Sequence, residues 1–171
     1  MNHRTTLTLG TLALMYLGVA LPSAAIAQTA KEYVGTWTLV SSDTVRPDGS
    51  KVPTFGGKAT GTLIFSGDGR FSYLFSRADL PKFASNNRNT GTPAENAAVV
   101  QGSIATYGTY SVADKGLLIK VEHSTFPNWI GTDQKRTITI AGDDMKWSNS
   151  AGSGGGVVEL VLKRAPARVM N

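Results

Sequence analysis

Glycine-built turn signals recur along this chain, and the apolar residues between them alternate rather than follow a helical period. The 19 glycines are spread through the sequence, not gathered in one linker. The plainest alternation is Phe71, Tyr73 and Phe75, which puts three aromatic rings on one face of an extended segment. Short alternating segments bounded by turn residues predict an all-β domain.

Eight strands can be placed between the turns. Gly35–Ser42 ends before the turn Pro47-Asp48-Gly49. Ala59–Phe65 and Arg70–Ser76 flank the tight hairpin Ser66-Gly67-Asp68-Gly69. Thr106–Val112 and Leu117–Ser124 are joined through Ala113-Asp114-Lys115-Gly116. Gln134–Ile140 is followed by Ala141-Gly142-Asp143-Asp144, then Met145–Asn149, the run Ala151 to Gly156, and Val157–Lys163. One segment departs from this pattern. Thr92 is placed as an N-cap, Pro93 at the first helical position and Glu95 for a capping box, so residues 93–101 are predicted as a short helix between strands three and four. Ahead of it, the Asn-rich stretch Leu80 to Gly91 reads as a mobile loop, and together they suggest a lid over one barrel mouth.

The sequence has no cysteine, which excludes disulfide staples, thiolate metal sites and thiol nucleophiles. Eight antiparallel strands with short turns can instead close on themselves. Closure removes the sheet edges that invite aggregation. The expected architecture is an eight-stranded antiparallel up-and-down barrel over residues 28–164, with residues 165–171 as a flexible tail. At this strand number the interior is either filled by side chains or holds one small ligand.

The start of the chain has the layout of a secretory signal peptide. Arg4 precedes an apolar run from Leu7 to Leu21, Pro22 and Ser23 break it, and Ala25-Ile26-Ala27 supplies the small residues a signal peptidase needs. Residues 1–27 are therefore expected to be removed, placing the protein in the periplasm or outside the cell with no stable membrane insertion. Loss of Arg4 lowers the formal charge from +5 to +4. The basic residues are scattered, whereas a nucleic-acid-binding surface concentrates them in a stripe, so no nucleic-acid partner is expected.

Several motifs resemble the bacterial and fungal lipocalin-like domain family, of the calycin type. They are Gly35-Thr36-Trp37, Asp48-Gly49-Ser50, the strand Gly61-Thr62-Leu63-Ile64-Phe65 running to Gly67-Asp68-Gly69-Arg70, and Tyr107-Gly108-Thr109-Tyr110. Pro127-Asn128-Trp129-Ile130-Gly131-Thr132 with Arg136 downstream completes the set. The resemblance implies a barrel with Trp37 plugging one end against Lys163 or Arg164. Members often carry a His pair where this chain has Ile119-Lys120, so no His-dependent chemistry carries over. Related barrels include binding proteins as well as cofactor-free cyclases and isomerases.

Strand parity gives a first view of the lumen, and aromatic residues on the strands and on the loop before the sixth strand add to it. Arg136 shares parity with Ile138 and Ile140. It either faces the lumen, where a buried charge needs a partner such as Glu122, or lies outward on a solvated face. Parity of the fifth strand is ambiguous: Lys120, Glu122 and Ser124 form one set, Ile119, Val121 and His123 the other. Tyr73, Tyr107, Glu122, Trp129 and Arg136 are the candidate ligand contacts, and Glu122, His123 and Arg136 the candidates for any catalysis. No motif for a metal, nucleotide or other cofactor is present. The leading reading is an exported protein binding a small, mainly apolar molecule. The alternatives are a cofactor-independent isomerase or cyclase acting on such a molecule, and a filled structural barrel. N-terminal sequencing of protein recovered from its native host is expected to begin at Gln28, and an intact Met1 would refute cleavage.

Overall fold

A computed structural model describes residues 30–114 and 116–166. The expected signal peptide and residues 167–171 of the expected tail lie outside the described residues. The elements run α1 Ala30–Tyr33, β1 Gly35–Val45, β2 Lys51–Pro53, β3 Ala59–Phe65, β4 Arg70–Arg77, α2 Pro93–Gly102, β5 Ser103–Ala113, β6 Gly116–Ser124, β7 Asp133–Ala141, β8 Asp144–Asn149 and β9 Val157–Arg164. Short 3-10 turns occupy Arg88–Thr90 and Pro127–Trp129.

All strand pairings are antiparallel, and they follow chain order from β3 to β9. β1 closes the sheet. Its first half pairs with β3, from Gly35 opposite Phe65 to Thr38 opposite Thr62, and its other edge pairs with β9 from Trp37 opposite Arg164 onward. The result is the expected all-β barrel of eight closing strands. The three-residue β2 folds back on the end of β1, with Asp43 opposite Pro53. It shifts the strand count, so the short helix lies between β4 and β5, not between the third and fourth strands.

Two irregularities reset which side chains face inward. In β1 the pairing with β9 steps from Leu39 to Ser41, leaving Val40 as the extra residue of a bulge. Trp37 and Leu39 therefore point in, and after the bulge Ser42 does so in place of Ser41. Between β5 and β6 the pairing steps from Tyr107–His123 to Gly108–Val121, leaving Glu122 as the extra residue. At Gly61 in β3 a Cβ would fall 2.1 Å from the Leu74 carbonyl oxygen, so glycine is needed where the backbones approach.

The barrel end at the start of β1 is solid. Tyr33, Trp37, Leu63, Phe65, Met145 and Leu162 are fully buried there, with Leu117, Ile119 and Val121 of β6 in the same core. Phe65 stacks on Trp147 and meets Tyr33 and Tyr110 edge-on. The Trp37 indole N–H donates to the Tyr33 carbonyl at 2.8 Å. Arg164 lies over the Trp37 ring, 4.1 Å from its centroid, and donates to the carbonyls of Val34 and Glu32. The guanidinium thus joins the last strand to the chain segment that leads into the first. Ala165, expected in a frayed tail, still donates to the Thr36 carbonyl at 2.8 Å.

The segment before α2, expected from its composition to be a mobile loop, carries several hydrogen bonds. Glu95 completes a capping box with Thr92 and also accepts from the Ala84 amide at 2.8 Å. Asn87 accepts from the Asn89 amide, and the Ser85 hydroxyl donates to the Asn87 carbonyl. The Ala84 and Thr92 backbone amides hold the Glu95 carboxyl below its ordinary pKa range, because such donors favour the ionised form. Trp37→Ala is expected to cost about 3–5 kcal/mol of unfolding free energy, read by denaturant titration, with small-molecule binding changed much less. The opposite balance would mean that Trp37 lines the binding space.

Candidate functional site

The end of the barrel away from Trp37 opens to a mouth above a small interior chamber. A mouth of about 390 Å³ is bounded by Val100 and Gln101 at the end of α2, Thr125 and Phe126 after β6, Phe55 before β3, and Ser153 and Gly154 in the glycine-rich loop. Ile104 and Val158 form its inner wall. It narrows to a chamber of about 50 Å³ that shares Phe55, Ile104, Ser153 and Val158 with it. The chamber alone holds a few water molecules, far less than a typical ligand pocket. Mouth and chamber together form a funnel.

Arg136 stands at the narrow end. It is 3 % exposed, so parity with Ile138 correctly gives its inward direction. Its guanidinium carbon lies 5.8 Å from the ring centroids of both Trp129 and Trp147, which hold the cation by their π faces. It donates to the Gln134 side-chain oxygen and to the Lys135 carbonyl. Among the described residues no carboxylate pairs with it. Burial pushes its pKa from the usual arginine range down to about 10, and the Tyr73 phenol acts weakly the other way. The group remains charged at neutral pH. A displacement of that size represents on the order of 3 kcal/mol opposing folding. Since the cation's pKa is lowered, the cost is present throughout the range below about pH 10 and is relieved only as pH rises through that value.

Tyr73 lines the same chamber. Burial raises its pKa, while a hydrogen bond with Thr106 and the nearby Arg136 charge oppose the rise, so the phenol stays protonated. Its ring stacks on Phe75 at 4.7 Å. Thr106 continues to Ser124 across 3.0 Å, and the Ser124 hydroxyl accepts from the Phe126 amide, tying this wall to the mouth loop. Trp129 meets Phe126 edge-on at 5.5 Å.

The other candidates lie outside the lumen. Glu122, the bulged residue of β6, pairs with Arg70 on the outer surface at 2.7 Å and is not the partner of Arg136. His123 and Tyr107 face each other on the outer wall with ring centroids 5.4 Å apart, and Tyr107 is 44 % exposed. They border an external groove with Ile64 and Leu74. Neither Tyr107 nor Glu122 can touch a molecule in the funnel, and His123 cannot act on one. Sequence parity also missed Ser42, Asn149 and Trp147, which complete the chamber. Asn149 is occupied in both directions with Ala151. Of the expected lid, the end of α2 reaches the mouth; Val100 sits on its rim and remains exposed.

Residues 34–164 match the family model described as a lipocalin-like domain, so the chain belongs to that family. It is 31% identical over 80 residues to the 4'-hydroxy-3'-methoxypropiophenone carrier protein of Aspergillus oryzae, covering 42% of this chain and 72% of that protein. Among solved structures it is similar to an uncharacterized protein from Bacteroides eggerthii, with a TM-score of 0.42, 13% identity and coverage of 78% of this chain and 99% of the other. It is also similar to a redesigned β-barrel, with a TM-score of 0.41, 13% identity and coverage of 82% and 98%.

Replacing a buried, carboxylate-free cation with an apolar side chain of similar length removes its desolvation cost. Arg136→Met is therefore expected to raise the unfolding free energy by about 1–3 kcal/mol at neutral pH, measured by chemical denaturation. A large loss of stability would show that the guanidinium is a structural tie.

Proposed function

We propose that this protein is an exported carrier that holds one small, mainly apolar molecule in the open half of the barrel, with its polar end toward Arg136. The observation that carries this reading is the funnel itself: a mouth of about 390 Å³ with mixed apolar and hydroxyl-bearing walls, leading to a buried cation flanked by two tryptophans. Phe55, Val100, Ile104, Phe126 and Val158 supply an apolar lining for the body of the ligand. A cation kept in such surroundings at a cost to stability is better explained by binding than by folding. The carrier named among its relatives supports the same class of function. A cyclase or isomerase using Glu122 or His123 on a molecule in the lumen would have both groups on the wrong side of the wall.

Trp129 and Trp147 provide the readout. Titration with fatty acids, retinoids, terpenoids and small aromatic compounds is expected to change intrinsic tryptophan fluorescence, with at least one class binding below about 100 μM, near 5.5 kcal/mol. The change should weaken strongly in Arg136→Met. If no class binds in that range, the carrier reading fails.

A further inference from the structure

Ser42 stands out within the chamber. It is 3 % exposed, and among the described residues its hydroxyl oxygen is the buried side-chain polar atom with no hydrogen-bond partner. Buried hydroxyls are ordinarily paired, and an orphan costs free energy. The bulge at Val40 turns Ser42 inward, opposite Leu160 of β9, while its backbone carbonyl is taken by the Thr54 amide. Ser42 lines the same chamber as Arg136.

The charge around that chamber is one-sided. Of the described residues lining the mouth or the chamber, Arg136 is the only charged one. An Arg guanidinium offers donors alone, and a Ser hydroxyl can rotate to donate as well. Two donors and one net positive charge, desolvated together, complement a negative group with two acceptor oxygens. The volume limits this group to a few heavy atoms, and the Phe55 and Phe126 rings lining the mouth favour a flat body behind it.

We propose that the funnel selects small planar acids, with a carboxylate held between the Arg136 guanidinium and the Ser42 hydroxyl. The inference rests on the carrier reading above and narrows its ligand class. Ser42 is a ligand contact with no structural task. Its removal should spare the fold, because it takes away a buried hydroxyl that has no protein partner.

The test uses trans-cinnamate and its neutral isostere cinnamamide as probes, titrated by calorimetry at pH 7 into the wild-type protein and two variants. Wild type is expected to bind cinnamate at least about tenfold more tightly than cinnamamide, the scale of one hydrogen bond to a charged group. Ser42→Ala should weaken cinnamate by about five- to tenfold with an unchanged or higher Tm. Arg136→Met should abolish the preference between the two probes. Equal binding of both probes by wild type overturns the acid selectivity while leaving the carrier reading intact. If neither binds and the wider ligand screen is also blank, both are overturned. Unchanged cinnamate affinity in Ser42→Ala, or a lowered Tm, overturns the role of Ser42.

Discussion

The closure of the sheet through β1 is the constraint on which the rest of the molecule depends. This strand bonds to β3 along one edge and to β9 along the other, and without it the barrel would have two open edges. Its irregularity is as important as its pairing. The bulge at Val40 lets Trp37 and Leu39 fill one end of the lumen and turns Ser42 into the other. One strand thus contributes both the plug, with Arg164 laid over it, and a wall of the chamber.

The lumen divides into two regimes. Around Trp37, Phe65 and Met145 the side chains pack as a core and stabilise the barrel by apolar burial. Beyond Trp147 the lining becomes mixed, with Arg136, Tyr73, Thr106, Asn149 and Ser42 all buried. Most of these are satisfied within the protein: Thr106 with Ser124, Asn149 with Ala151, and Arg136 in part with Gln134. What remains unmatched is the positive charge and one hydroxyl. The solid end supports the fold, and the mixed end carries the incompletely satisfied chemistry.

The sequence makes the barrel legible because its signals are local. Aromatic alternation marks β4, the capping box marks α2, and the parity of Arg136 with Ile138 and Ile140 gives its inward direction. What it conceals follows from the bulges. An extra residue in one strand reverses its parity, and nothing in Thr38 to Ser42 shows that Val40 is the extra one. The bulge at Glu122 similarly puts that residue outside, paired with Arg70. On β5 the inward position 108 is a glycine, so the true inward set lost apolar weight and Tyr107 gave no local sign of facing outward. The brief pairing of Lys51–Pro53 depends on contacts with β1 and carries no alternation of its own. Polar composition between residues 80 and 91 shows a loop but not its internal bonds, in which Ser85 donates to the Asn87 carbonyl and Asn87 accepts from the Asn89 amide.

The three tryptophans of the chain sit at distinct places: Trp37 in the plug, Trp129 and Trp147 beside Arg136. Their indole N–H signals in a nitrogen-15 correlation spectrum therefore report directly where a small molecule enters. On titration with a planar acid, the account predicts shifts of the Trp129 and Trp147 indole signals while that of Trp37 stays in place. Shifts confined to the backbone amides of Ile64, Leu74, Tyr107 and His123, with all three indoles unmoved, would place binding in the external groove and contradict it.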